Sequence, residues 1–173
     1  MNLYGEKIFL RAIEPSDKTL LLSIINNPET EAMLGGWSFP ISLKQQENWI
    51  ESLPYNQGTL RCIIQPLNEK EGIGTIMLTD IDYKNGNAEV HIKLTDASVR
   101  KKGYGTDAVN TIVKYAFEEL RLHVVYARVS DINKASEGLF CKCGFTFEGK
   151  LQDRVYKNGT YITVSSFARV NRS

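Results

Sequence analysis

Residues 100–106, Arg100-Lys101-Lys102-Gly103-Tyr104-Gly105-Thr106, stand between two segments of different period. Before them, residues 88–94 (AEVHIKL) alternate in the manner of a half-buried strand. After them, residues 107–122 place Val109, Ile112, Val113, Ala116, Phe117 and Leu120 on one helical face. A strand that passes into a helix through two glycines and three cations has the chemistry of an anion site. The first N–H groups of a helix lack intrahelical partners, and the helix dipole favours an anion there by about 0.3–1 kcal/mol per contact. Gly103 and Gly105 permit a tight turn and close approach of a diphosphate to exposed amides.

Upstream, residues 7–13 read as a strand and residues 19–26 as a first helix, broken at Asn27-Pro28. Gly35-Gly36-Trp37 and Pro40 mark a loop. Ser42 and Gln45 form a capping-box pattern for a second helix over residues 43–53. Residues 59–65, 73–81 and 88–94 read as an antiparallel meander, with Asn85-Gly86-Asn87 as its second turn. Downstream, residues 124–129 form a compact strand and residues 134–143 a short helix stopped by Gly144. Residues 145–156 and 161–170 form a hairpin across Asn158-Gly159. The strand–helix–strand unit around the glycine loop requires a parallel crossover, and the remaining strands are antiparallel. The fold class is mixed α/β, without the Gly-x-Gly-x-x-Gly of a dinucleotide-binding fold.

The 173 residues are expected to form a single domain, residues 1–173, with enough buried surface to need no disulfide or metal. A net charge of +1 argues against a dedicated nucleic-acid binder. No apolar run approaches the ~20 residues of a membrane helix, and no leader pattern opens the chain, so a cytoplasmic location is expected. Cys62, Cys141 and Cys143 read as reduced thiols. With only two histidines besides, no metal site is expected.

The chain resembles the GNAT superfamily of N-acyltransferases over nearly its full length. Residues 100–105 match the family's Arg/Gln-x-x-Gly-x-Gly/Ala loop, set between the proper strand and helix. A second motif follows about 30 residues on, Asn133-Lys134-Ala135-Ser136 and then Gly144-Phe145-x-x-Glu148-Gly149. The opening FLRAIEPSD (residues 9–17) is similar to the RimJ/RimL-like branch. The YKNGTYI hairpin (residues 156–162) and the AEVHI strand are similar to spermidine/spermine N-acetyltransferases.

The resemblance implies a mainly antiparallel sheet with a central splayed parallel strand pair and flanking helices. It implies acetyl-CoA as co-substrate, with Ile92, Lys93 and Leu94 offering main-chain bonds to the pantetheine. Arg100, Lys101, Lys102, Gly103, Tyr104, Gly105 and Thr106 would take the diphosphate. Asn133 would reach the pantetheine arm, with Phe140 and Lys142 near the CoA moiety. Glu89 is the candidate general base for a primary amine, or else an ordinary strand carboxylate. His91 shares its strand face and either relays the proton or packs.

Phe140 occupies the position where many relatives carry a proton-donating Tyr. Phe has no proton to give, so Ser136, Tyr104 or water is left to protonate the departing thiolate. Ser136 also reads as a routine helix-start residue. Glu29, Glu31, Glu47 and Glu51 fall where polyamine acetylases line the acceptor site, and an ordinary solvated helix face shows the same acids.

The acceptor is expected to be a small-molecule or peptide amine. A polyamine is preferred, with a protein N-terminus of the ribosomal-protein type, an amino sugar or an antibiotic as alternatives. A non-catalytic CoA-binding module is the reading from another class. Dimers are common in the family, with the C-terminal strands as candidate contact, and the sequence leaves the oligomeric state open.

Overall fold

The computed structural model describes residues 1–33, 39–53, 58–95, 97–99 and 101–172. Its strands are β1 (Leu3–Tyr4), β2 (Ile8–Arg11), β3 (Leu60–Pro66), β4 (Gly74–Asp82), β5 (Asn87–Leu94), β6 (Val124–Ser130), β7 (Thr146–Lys157) and β8 (Thr160–Val170). Its helices are α1 (Lys18–Ile25), α2 (Pro28–Met33), α3 (Leu43–Glu51), α4 (Tyr104–Glu118) and α5 (Lys134–Lys142). The strands form one sheet in the order β1-β2-β3-β4-β5-β6-β8-β7. Every neighbouring pair is antiparallel except β5 and β6, which run parallel. This is the mixed sheet with one central parallel pair that the sequence implied.

Turn chemistry fixes the registers. Asn158 and Gly159 both hold positive φ (49° and 82°), as a two-residue hairpin turn between β7 and β8 requires. The Asp82 carboxylate accepts the N–H groups of Lys84 and Asn85, both at 2.9 Å, closing the turn into β5. Tyr156 and Tyr161 face each other across the β7–β8 ladder, stacked edge-on with centroids 5.0 Å apart, and both are exposed.

The main core lies between α4 and one face of the sheet. Val109, Ile112, Val113 and Ala116 are fully buried there with Ala88, Val90, Val125 and Ala127. Burying one such aliphatic chain contributes about 1.5–3 kcal/mol. Phe117 and Leu120, expected on the same helix face, are partly buried against that cluster.

Two elements differ from expectation. The first helix ends before Asn27-Pro28 as expected, but Pro28 also opens a further helix, α2, that the sequence reading did not include. Asn27 caps α2 by accepting the N–H groups of Glu29 (2.9 Å) and Thr30 (3.0 Å), and proline at the first helical position loses no hydrogen bond. The first strand is preceded by a two-residue strand, β1, too short to show a period. Among the described residues no helix is long and apolar enough to cross a membrane.

Candidate active site

β5 and β6 pair only at Asn87–Val124, Ala88–Val125 and Glu89–Tyr126, yet β5 runs on to Leu94 and β6 to Ser130. The two strands therefore fork just after Glu89. The Lys93 carbonyl turns toward Gly74 on β4, and the Thr95 N–H bonds to Ile73 on that same side. By strand alternation the main-chain groups of Ile92 and Leu94 turn the other way, into the fork. The Lys93 backbone is thus committed to the sheet, and only its side chain is available to the site. This corrects the expectation that all three residues offer main-chain bonds.

A cleft of about 690 Å³ opens at the fork. Ile92, Lys93 and Leu94 form one wall. Lys101, Gly103, Gly105 and Thr106 form a second, and Asn133, Ser136, Leu139 and Lys142 of the α5 segment form a third. Thr30 and Met33 of α2 also contribute.

Gly103 is the N-cap of α4 in the left-handed region, φ 87°, a conformation that a Cβ would strain. Gly105 is different, since its φ is not positive. A Cβ there would meet Leu139 and Leu94 only at ordinary contact distances, 3.6–3.7 Å. Protein packing does not demand that glycine; its bare backbone keeps the cleft wall open beside the first turn of α4. That turn contains one acid, Asp107, whose carboxylate faces away from the cleft's chemistry. It accepts the N–H groups of Glu6 (3.1 Å), Lys7 (2.7 Å) and Ile8 (3.1 Å). Lys7 also donates its ammonium to the Lys102 carbonyl at 3.1 Å, tying the loop to the β1–β2 turn. The helix end so built suits a diphosphate and a slender thioester arm.

Asn133 caps α5 by accepting the Ser136 N–H at 3.1 Å, so both lie on the cleft wall at one helix start. Phe140 is displaced from expectation. It is 3% exposed and packs edge-on against Phe145, inside the core. One residue past Leu139 is about 100° around the helix, and that rotation takes the ring off the cleft wall. Lys102 and Tyr104 are likewise absent from the lining: Lys102 points to solvent, and Tyr104 packs against the core cluster. Arg100 and Gly35-Gly36-Trp37 lie outside the described residues.

Glu89 is 2% exposed at the root of the fork. Arg128 Nε donates to both of its carboxylate oxygens at 3.0 Å, and Nη2 donates to Oε2 as well. That hydrogen bond with Glu89 raises the Arg128 pKa above its ordinary value. His91 Nε2 lies 3.7 Å from Glu89 Oε2 and 3.0 Å from Thr79 Oγ1. Burial lowers the His91 pKa, only partly offset by the Glu89 charge, so the ring is neutral at pH 7. The sequence expectation that Glu89 and His91 share a face holds. Their partner Arg128 was missed, being 39 residues away on β6. Among the described residues no group of three or more His, Cys, Asp or Glu is placed to hold a metal.

Residues 7–146 match a family model described as the acetyltransferase (GNAT) domain. The chain is 29% identical over 161 residues to the N-acetyltransferase YoaA of Bacillus subtilis (strain 168), covering 91% of this chain and 90% of that one. It is 27% identical over 161 residues to the spermidine N(1)-acetyltransferase of Vibrio cholerae (serotype O1, strain El Tor Inaba N16961), covering 92% and 91%. Among solved structures it superposes on the spermidine N-acetyltransferase from Vibrio cholerae in complex with CoA and spermine. The TM-score is 0.87, with 96% of each chain covered and 24% identity, a likeness of fold.

Proposed function

Since the chain belongs to the GNAT acetyltransferase family, we propose that it transfers an acetyl group from acetyl-CoA to a primary amine by direct attack on the thioester. The observation that carries this reading is the fork after Glu89, set opposite the bare first turn of α4 with Gly105 in its wall. The amides of Gly103, Tyr104, Gly105 and Thr106 hold the diphosphate, with Lys101 and Lys142 as nearby cations. Ile92 and Leu94 pair with the pantetheine along the open edge of β5. The fold is one in which the solved neighbour holds CoA.

The amine nitrogen bonds to the thioester carbon as the carbon–sulfur bond breaks, and one proton passes in net from nitrogen to sulfur. A primary ammonium near pKa 10 must first lose a proton, costing about 4 kcal/mol at pH 7. Glu89 and His91 carry that step together through water. Neutral His91 accepts the proton, and the Glu89 carboxylate stabilises the resulting imidazolium. The Ile92 N–H faces the thioester oxygen as it gains charge. Ser136 on the cleft wall delivers a proton to the sulfur, a modest task because a thiol has pKa about 8.5.

The relative named spermidine N(1)-acetyltransferase supports a polyamine as acceptor. Two of the acids that would attract one are engaged elsewhere: Glu47 pairs with Lys18 at 2.8 Å, and Glu31 pairs with Lys157. Titration calorimetry with acetyl-CoA and CoA, followed by thiol release across an amine panel, tests the proposal. Saturable binding and amine-dependent release are expected. Absence of binding heat from either nucleotide overturns it, and binding without turnover on any amine leaves a CoA-binding module.

A further inference from the structure

A second cavity, of about 310 Å³, lies on the other side of the sheet from α4, beneath α1 and α3. Its size is at the lower end for small-molecule pockets, about 300–1,000 Å³. Among the described residues, Lys93 alone lines both this cavity and the cleft at the fork. An amine reaching a thioester in the fork cannot come through the α4 face, which is packed core. One approach open to it runs along the face that Lys93 shares with Thr75 and Met77.

The wall chemistry of this second cavity is selective. Leu21, Ile24, Ile41, Trp49 and Met77 make it apolar. Its charged groups are Arg61 and Lys93, both cations, and no Asp or Glu lines it among the described residues. Neither cation forms an ion pair with a described residue. Two acids near α1 and α3 are engaged with other cations, Asp17 with Arg11 at 2.7 Å and Glu47 with Lys18. Burial disfavours the charged form of Lys93 and lowers its pKa, which an anion at its side would reverse. A polycation entering here meets two like charges and no carboxylate. An apolar body carrying one anionic group meets complementary walls.

We propose that the second cavity is the acceptor pocket and that the acceptor is a small amine bearing an apolar side chain and a carboxylate, as in a hydrophobic α-amino acid. The side chain fills the space under Trp49 and Ile24, the carboxylate lies against Lys93 and Arg61, and the amine, one carbon from the carboxylate, faces the fork. This rests on the acetyl-transfer reading and replaces the polyamine within it.

The test is thiol release from acetyl-CoA with phenylalanine, phenylalaninamide, a peptide beginning with phenylalanine, and spermidine. Phenylalanine is expected to exceed its amide in kcat/KM by about tenfold or more, the scale of a hydrogen bond to a charged group. That ratio collapses toward unity in Lys93→Met and falls in Arg61→Met. Acetyl-CoA calorimetry on each variant separates a lost acceptor site from a lost fold. Preference for spermidine or for the peptide, or an unchanged ratio in a Lys93→Met protein that still binds acetyl-CoA, overturns the proposal. Failure of the wild type to bind acetyl-CoA instead removes the donor reading beneath it.

Discussion

The Glu89 carboxylate is held by the Arg128 guanidinium across the last rung of the parallel ladder, with Nε at 3.0 Å from both oxygens. One charge is therefore buried where the strands part, and its partner is half exposed on β6. Removing the partner strands the buried acid. Arg128→Ala is expected to destabilise the fold by about 1–3 kcal/mol, the cost of an unsatisfied buried acceptor. Urea unfolding measures it. Glu89→Gln, which removes the charge, should recover part of that loss in the Arg128→Ala background. A double variant no more stable than Arg128→Ala would show that the pair is not what matters there.

Gly105 separates binding from folding. Its backbone tolerates a Cβ, whose neighbours would be Leu139 and Leu94 at 3.6 Å or more. Gly105→Val should leave the thermal midpoint within about 4 °C of wild type, since the helix loses no packing. The added methyls occupy the cleft wall, and acetyl-CoA affinity should fall by about tenfold or more. Calorimetry and a thermal scan on one preparation check both arms. A large drop in midpoint with unchanged affinity would contradict this account of the glycine.

The fold was legible wherever local period and turn chemistry agree. Residues 88–94, Asn158-Gly159 and the apolar face from Val109 to Ala116 each carry their own signal. The α2 helix was not legible, because Asn-Pro reads equally as a break or as a cap followed by a first helical residue. Two segments of the cleft wall were legible as a loop and a helix start, Gly103 to Thr106 and Asn133 to Ser136. The site's long-range partners were not. Lys7 bonds to Lys102 across 95 positions, and Arg128 reaches Glu89 across 39. No spacing rule joins residues that meet only when the sheet closes. Phe140 was misplaced for a local reason: a motif position fixes the residue along the helix but leaves open which way a 100° step turns it.

Cysteine reactivity should divide by position. Cys141 is exposed on α5, whereas Cys62 and Cys143 are buried. Burial pushes the Cys62 thiol up to about 11 and raises that of Cys143 as well. Thiolate is the reacting species, so a chromogenic disulfide reagent at pH 8 should titrate one thiol per native chain promptly. All three should react after unfolding. Prompt reaction of two or three thiols in the folded protein would mean that the core around α5 opens readily.

His91 sets a pH dependence whose sign can be worked out. Its folded pKa is lowered, first by burial, with Lys93 and Arg128 adding to the effect and the Glu89 and Asp80 charges opposing it. In the unfolded chain the ring takes up its proton near pH 6.5. As pH falls through that value the unfolded state binds a proton that the folded state still refuses, so stability declines. Above it both states are neutral and the contribution is complete. Unfolding free energy measured by urea between pH 8 and 5 should therefore fall on the acid side of about 6.5. His91→Gln keeps a polar group beside Thr79 Oγ1 and removes the titration, so its profile should be flatter across that range. If the two profiles run parallel, His91 titrates alike in both states and its burial does not shape the acid side of the stability curve.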